Sequence, residues 1–264
     1  MTLINHISFA AEESKALQDA SSPFYIDDAT GKNVLPWELR VLAIRLQAVG
    51  YGDVRRGISG YYDLAKDARA EVKKNVEAEE KRLWKDRLRD LGFYVANALI
   101  ESGDLVAAAR HLESLRTEDE KENNTLDERL ALLYINLGDI DTARQYLSPT
   151  PLPNTTTITP LLSMAEGRYP DAIEEWKALP PSAIVTQNLA ICLFYTGRVD
   201  ETLKLLDGLV ERGRSFRALT FNLATVYELC SERGRERKGE LVGRVGRGIE
   251  ERGGGERGNA DFKL

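Results

Sequence analysis

The sequence predicts an all-α protein, a right-handed solenoid of helix-turn-helix repeats, and three observations carry that prediction. The tripeptide Asn188-Leu189-Ala190 returns 34 residues later as Asn222-Leu223-Ala224. A glycine, a polar residue and an apolar residue recur as Gly103-Asp104-Leu105, Gly138-Asp139-Ile140, Gly167-Arg168-Tyr169 and Gly197-Arg198-Val199. Three residues after each apolar residue stands Ala108, Ala143, Ala172 or Thr202, and four further on Leu112, Leu147, Trp176 or Leu206. An interval near 34 residues marks a helical repeat. The i, i+3, i+7 stripe is that of a helix with one buried face.

One unit reads as a helix A, a tight turn and a helix B. Glycine ends helix A because the left-handed conformation there costs it nothing. A small residue upstream (Ala96, Ala131, Ala190 or Ala224) marks where helix A comes close to helix B. A bulkier side chain there would overpack the contact, at about 1–3 kcal/mol. These landmarks resemble the tetratricopeptide repeat.

In chain order, residues 1–35 read as a partly irregular N-terminal segment. A degenerate unit at 36–65 carries "WELRVLAIRLQAVGYGDVRRGISGYY". From Tyr61 to Leu91 the chain has charges of both signs and neither glycine nor proline, which predicts one long charged helix with a solvated face. Its Leu83, Trp84, Leu88 and Leu91 are expected to continue into the next helix A. Four good units follow, at 89–116, 124–148, 156–179 and 183–212. Their glycines lie 35, 29 and 30 residues apart, so the third and fourth units are short. Pro149, Pro151 and Pro153 end one helix early and Pro180-Pro181 another. A fifth helix A spans 217–230. The repeat array is thus placed at 36–232, about five to six helix pairs. Residues 233–264 form a capping helix and a Gly/Arg-rich flexible tail, because glycine mixed with charge cannot repay the entropy of ordering. The last residues, Asp261 to Leu264, are candidates to dock back on the repeats.

Composition excludes several function classes. A net charge of −6 and a pI near 5.3 argue against a nucleic-acid partner and against a polybasic membrane anchor. The longest apolar run, Leu189 to Tyr195, is far short of the roughly 20 residues that span a bilayer. "MTLINHISFAAEESKAL" lacks the basic and long apolar regions of a signal peptide. Two cysteines cannot make a disulfide framework, which points to a reducing cytosol. Cys192 and Cys230 sit on apolar helices and read as small core residues, without the paired spacing of a zinc site. His6 lies in the N-terminal segment, and His111, in a helix B, reads as a half-buried structural imidazole. There is no P-loop, and "GYGDVRRG" lacks the strand context of a dinucleotide loop. Neither a catalytic residue, nor a cofactor, nor a metal site is expected.

Function is therefore expected on surfaces. A solenoid of this kind presents a concave face built from its helices A. The residues placed there are Tyr94, Asn97, Arg129, Leu132, Ile191, Phe194 and Tyr195, with Glu128 beside them. Arg129 with several apolar neighbours is not the lysine and arginine cluster that grips a peptide carboxylate. Ala190 and Leu193 are expected to point to helix B instead.

Several stretches resemble a particular family, subunit 12 of the transport protein particle (TRAPP) vesicle-tethering complex. They are "LPWELRVLAIRLQ", "RLWKDRLRDLGFYVANALIESGDLVAAARHL", "LYINLGDIDTARQYL", "NLAICLFYTGRVDETLKLLDGLV", "TFNLATVYELCSERGRERKGEL" and the closing "GNADFKL". They occur in the family's order over most of 35–264. The short junction at 149–157 and the glycine-rich stretch at 243–258 depart from its pattern. The resemblance implies a non-catalytic scaffold that binds other TRAPP subunits and acts indirectly on a Rab-family GTPase. It implies a cytoplasmic protein peripheral to endoplasmic reticulum–Golgi membranes, serving traffic between them and autophagy. Two rival readings stand beside it: a tetratricopeptide co-chaperone or peptide receptor, and the regulatory repeat domain of an enzyme.

Overall fold

Glycine decides where these helices stop. The computed structural model describes residues 9–18, 25–27, 34–117, 120–147, 155–230 and 232–251. In it the four turn glycines, Gly103, Gly138, Gly167 and Gly197, have φ of 81°, 80°, 75° and 79°. No other residue type among the described residues takes a positive φ. At three of them the backbone closes in the same way. The N–H groups of Gly103, Gly167 and Gly197 donate to Ile100, Met164 and Phe194, each at 3.0 Å. The next N–H, of Asp104, Arg168 or Arg198, donates to Leu99, Ser163 or Leu193 at 2.9–3.0 Å. This pair of bonds satisfies carbonyls that a helix end otherwise leaves open. The chain then starts its next helix at once, with Asp104 and Asp139 accepting from the N–H of Ala107 and Thr142.

The described residues are helical throughout their regular structure, as the sequence predicts, and they fall into two compact units, Met1–Leu137 and Gly138–Leu264. In the first, a 3-10 turn at Ser14–Gln18 packs on α1 (Trp37–Tyr51). Then α2 (Val54–Lys74), α3 (Ala78–Glu101), α4 (Leu105–Glu113) and α5 (Glu120–Leu137) each pack on the helix before. Ile44, Tyr61, Leu64, Leu91 and Val95 form its core. Buried Gln47 ties the N-terminal turn to α1, donating to Ser14 Oγ at 3.1 Å and to the Ala11 carbonyl.

The second unit runs through α6 (Ile140–Tyr146), α7 (Thr155–Ala165), α8 (Tyr169–Ala178), α9 (Ala183–Tyr195), α10 (Val199–Glu211), α11 (Arg217–Cys230) and α12 (Gly234–Glu251), and from α7 onward each packs on its predecessor. One core cluster joins Ala172, Ile173 and Trp176 to Val185 and Leu193. A second joins Ala190 to Leu206, Leu219, Leu223, Leu241 and Val245. Every small residue predicted at a helix crossing is buried: Ala96, Ala131, Ala190 and Ala224, and beyond the turns Ala108, Ala143, Ala172 and Thr202. The buried Thr202 hydroxyl reaches the Ala190 and Arg198 carbonyls, both at 3.1 Å, so its polarity is satisfied inside the seam.

One expectation is corrected. The charged stretch at 61–91 is not one helix, because it breaks at Asn75 and Glu77, both extended with ψ near 130°. Fully helical, it would hold the apolar stripe Leu64-Ala65-Ala68 far from Leu91 and Val95. Folding back at two weak helix formers, Asn75 and Val76, lets those stripes bury each other, and α2 and α3 form a hairpin. The helix expected to follow the array is Gly234–Glu251, and it takes in the glycines and arginines of 239–247. Leu241 and Val245, four apart, are both buried, and Lys238 and Arg244 reach Glu228 and Asp207. That burial offsets the roughly 1 kcal/mol each interior glycine costs a helix. Residues 149–154 and Asp261–Leu264 lie outside the described residues.

The turn glycines yield a direct test. Around Gly197 a Cβ would meet nothing within 4 Å, so the only penalty of a side chain is its positive φ. Gly197→Ala should therefore lower unfolding free energy in urea by about 1–2 kcal/mol. Gly197→Asn should lose less, since asparagine tolerates the left-handed region. An alanine variant as stable as the parent would disprove the turn geometry.

Candidate partner-binding surfaces

Of the seven residues predicted for a binding face, four lie in the first unit and three in the second. In the second unit, α9 starts at Ser182, whose hydroxyl accepts from the Val185 N–H at 3.2 Å, and ends at the Gly197 turn. Nearly every residue between is apolar, so packing alone sorts them. Ala190, Cys192 and Leu193 are buried, whereas Ile184 and Tyr195 are 64% and 62% exposed, with Ile191 between. Ile184, Ile191 and Tyr195 stand at i, i+7 and i+11, along one stripe of the helix. The Tyr195 ring stacks flat on Tyr169 of α8, with centroids 4.5 Å apart and an interplanar angle of 3°. This pairing holds an exposed aromatic in one orientation, as an anchor for a partner requires.

Phe194 departs from the prediction. It meets Tyr195 edge-on at 6.1 Å, but its ring packs, half-buried, against the core cluster around Ala190 and Leu223. It is a packing residue first, because position 194 lies next to the seam that Ala190 forms with α10. Ala190 does face that seam, but Leu193 packs chiefly with Ile173 and Trp176 of the preceding α8.

In the first unit Tyr94 is likewise drawn into packing, stacked on Tyr61 of α2 at 5.6 Å. Asn97 and Leu132 are exposed. The exposed Arg129 of α5 lies over the Phe93 ring of α3 at 4.4 Å, a cation–π contact that joins the two helices.

Sequence reasoning missed a cavity of about 510 Å³ between α2, α3 and the end of α4. Tyr61, Ala65, Leu88, Leu91, Val95 and Leu115 make its apolar walls. The signal in the sequence was Gly92, a glycine inside a helix without a turn to explain it. A Cβ there would stand 2.7 Å from both Leu115 methyl carbons. The Gly92 carbonyl accepts from His111 Nε2 at 3.0 Å, so that nitrogen carries the proton, and the Tyr62 ring stands edge-on to the imidazole at 6.3 Å. Burial pushes the His111 pKa below its ordinary value, against the opposing pull of that carbonyl.

The cysteines divide. Cys192 is buried, and desolvation pushes its thiol pKa up to about 11, as fits a core residue. Cys230 is exposed, contrary to expectation, because α11 ends at that residue and only its inner face is covered. On that inner face the Tyr227 hydroxyl donates to Asp207 at 2.5 Å and accepts from Arg244 at 2.8 Å, and burial raises its pKa to about 12. No described helix is long and apolar enough to cross a membrane.

Packed helix pairs that close on a recurrent glycine turn, with rigid apolar side chains left exposed on single stripes, define a class of all-helical protein. No family model matches the chain. Among curated proteins it is similar to Trafficking protein particle complex subunit 12 of Homo sapiens, 26% identical over 179 residues, which are 61% of this chain and 24% of that protein. It is equally similar to the subunit 12 of Mus musculus, 26% identical over 185 residues, covering 61% and 22%. These two relatives carry the family name that the sequence motifs resemble. The chain spans about a quarter of the length of the curated relatives it matches.

His111 gives the unit a specific pH response. Its imidazole stays neutral more readily folded than unfolded, so its contribution is fully present above about pH 6.5. As pH falls from there toward the lower folded-state value, the unfolded chain takes up the proton first and stability is lost. Urea unfolding between pH 7.5 and 5.5 should show this loss in the parent, and His111→Gln should flatten it. Parallel curves for the two proteins would remove His111 as the cause.

Proposed function

We propose that this chain is a non-catalytic adaptor of a TRAPP-type vesicle-tethering complex, binding other subunits through its helical repeats. The observation that carries the reading is the similarity to subunit 12 over 61% of the chain. The recurrent turn with its buried small residues supports a tetratricopeptide-type right-handed solenoid over 36–232, capped by the helix that follows. In this reading the protein is cytoplasmic, peripheral to endoplasmic reticulum–Golgi membranes, and bears on a Rab-family GTPase through the subunits it joins.

Among the predicted face residues, Ile191 and Tyr195 are the anchors we assign to partner binding in the second unit, with Asn97 and Leu132 in the first. Each reaches solvent and none closes a core. Tyr195, preset by its stack on Tyr169, loses little freedom when a partner covers it.

Affinity purification from the source cells, read by mass spectrometry, tests the reading, and other TRAPP subunits should co-purify. Ile191→Asp with Tyr195→Asp should weaken that association by a few kcal/mol, as loss of central apolar anchors does. Helix content and melting temperature should hold. A folded double variant that still co-purifies at parental level would sink the α9 surface. Recovery of a heat-shock protein in place of tethering subunits would favour the co-chaperone reading.

A further inference from the structure

The first unit's cavity carries two exposed cations near one end, and their position follows from the α2–α3 hairpin. The two helices are joined through Asn75–Glu77 and pack on each other, so residues equally far from the turn lie level. On α2 the stripe runs from Tyr61 and Ala65, deep, to Arg69 near the turn. On α3 it runs from Lys85, near the turn, through Leu88 and Gly92 to Val95. All these residues line the cavity. Arg69 and Lys85 thus fall at the turn end, and the buried Tyr61, Leu91 and Val95 at the other.

Arg69 and Lys85 are exposed, and neither makes an ion pair among the described residues. The carboxylate lining the cavity, Asp86, already pairs with Arg89 at 3.7 Å, and Arg89 is a third cation on the wall. In a chain of net charge −6 this is a local excess of positive charge over an apolar well. His111, elsewhere on the wall, already uses its Nε2 proton on the Gly92 carbonyl and so offers an anion no donor. A volume of about 510 Å³ is that of a small-molecule site, large enough for a chain or ring system but not for a folded element.

We infer that this cavity binds a small amphipathic anion, its apolar body against Leu88, Leu91, Val95 and Leu115 and its carboxylate or phosphate head between Arg69 and Lys85. The inference stands on the first unit alone and does not depend on the proposed partners. Water leaves apolar walls when the body enters, and the head exchanges hydration for two otherwise unengaged cations. A cationic head would meet repulsion at the same place.

The full chain, titrated with laurate and with dodecyltrimethylammonium at equal chain length below micelle formation, tests this. The probe is displacement of bound anilinonaphthalene sulfonate, itself an aromatic body with one anionic group. NMR of the His111 ring gives a local signal, legible because the chain has two histidines. Laurate should displace the dye at one equivalent and shift the His111 signals. Arg69→Glu with Lys85→Glu, both at exposed sites, should keep the helix content and weaken laurate at least tenfold. Equal binding of the cationic amphiphile, laurate binding that survives the charge reversal, or His111 signals that stay still would each overturn the assignment. If an acidic peptide, acetyl-Glu-Glu-Phe-Leu-Glu-amide, displaces the dye where laurate does not, the cavity belongs to a protein partner and the small-molecule proposal fails.

Discussion

A helix that must return along its neighbour within three residues needs one position in the left-handed region, and only glycine holds it there without strain. Everything else in this protein follows from that reversal. With φ near 80° at Gly197 the chain turns so tightly that Ala190, seven residues earlier, comes against α10. The closeness of that contact allows only a methyl group on one side and a small hydroxyl, Thr202, on the other. A larger side chain, Leu206, then packs in the same core cluster as Ala190. The same geometry at Gly103 and Gly167 explains why the landmarks recur as a set: turn, small residue and large residue are parts of one packing solution.

Where the glycine is missing, the chain solves the reversal by other means, at the cost of regularity. Between α2 and α3 three residues, two of them extended, make a wider turn than glycine would. The cavity lies between this hairpin and the end of α4, with Gly92 admitting Leu115 at its edge. That apolar cavity thus lies in the irregular part of the array. In the second unit the outer stripe of α9 carries Ile184, Ile191 and Tyr195.

The division of labour along α9 shows how finely packing assigns function. Phe194 and Tyr195 are adjacent in sequence and both aromatic, yet one packs on a core cluster and the other stacks in the open on Tyr169. A helix that is apolar on every side carries no periodic signal to distinguish them. Neighbouring helices alone decide which ring is covered. The cysteines follow the same logic, Cys192 facing inward in mid-helix and Cys230 left outside at the last residue of α11.

The sequence by itself determined the helical class, the turns at Gly103, Gly138, Gly167 and Gly197, and the buried small residues, since each rests on a local rule about backbone conformation or residue volume. It also determined the likeness to subunit 12, because the motifs that carry it are contiguous. Tertiary structure decided what local rules leave degenerate. It split the stretch at 61–91, whose composition suits one helix, because its two apolar stripes bury only against each other. It carried the helix after the array to Glu251, because Leu241 and Val245 reach a core that composition cannot foresee. It separated Phe194 from Tyr195, and it drew Arg69, Lys85 and His111 around one cavity from three different helices. Those outcomes depend on which surfaces meet, and that is a property of distant residues rather than of any one stretch.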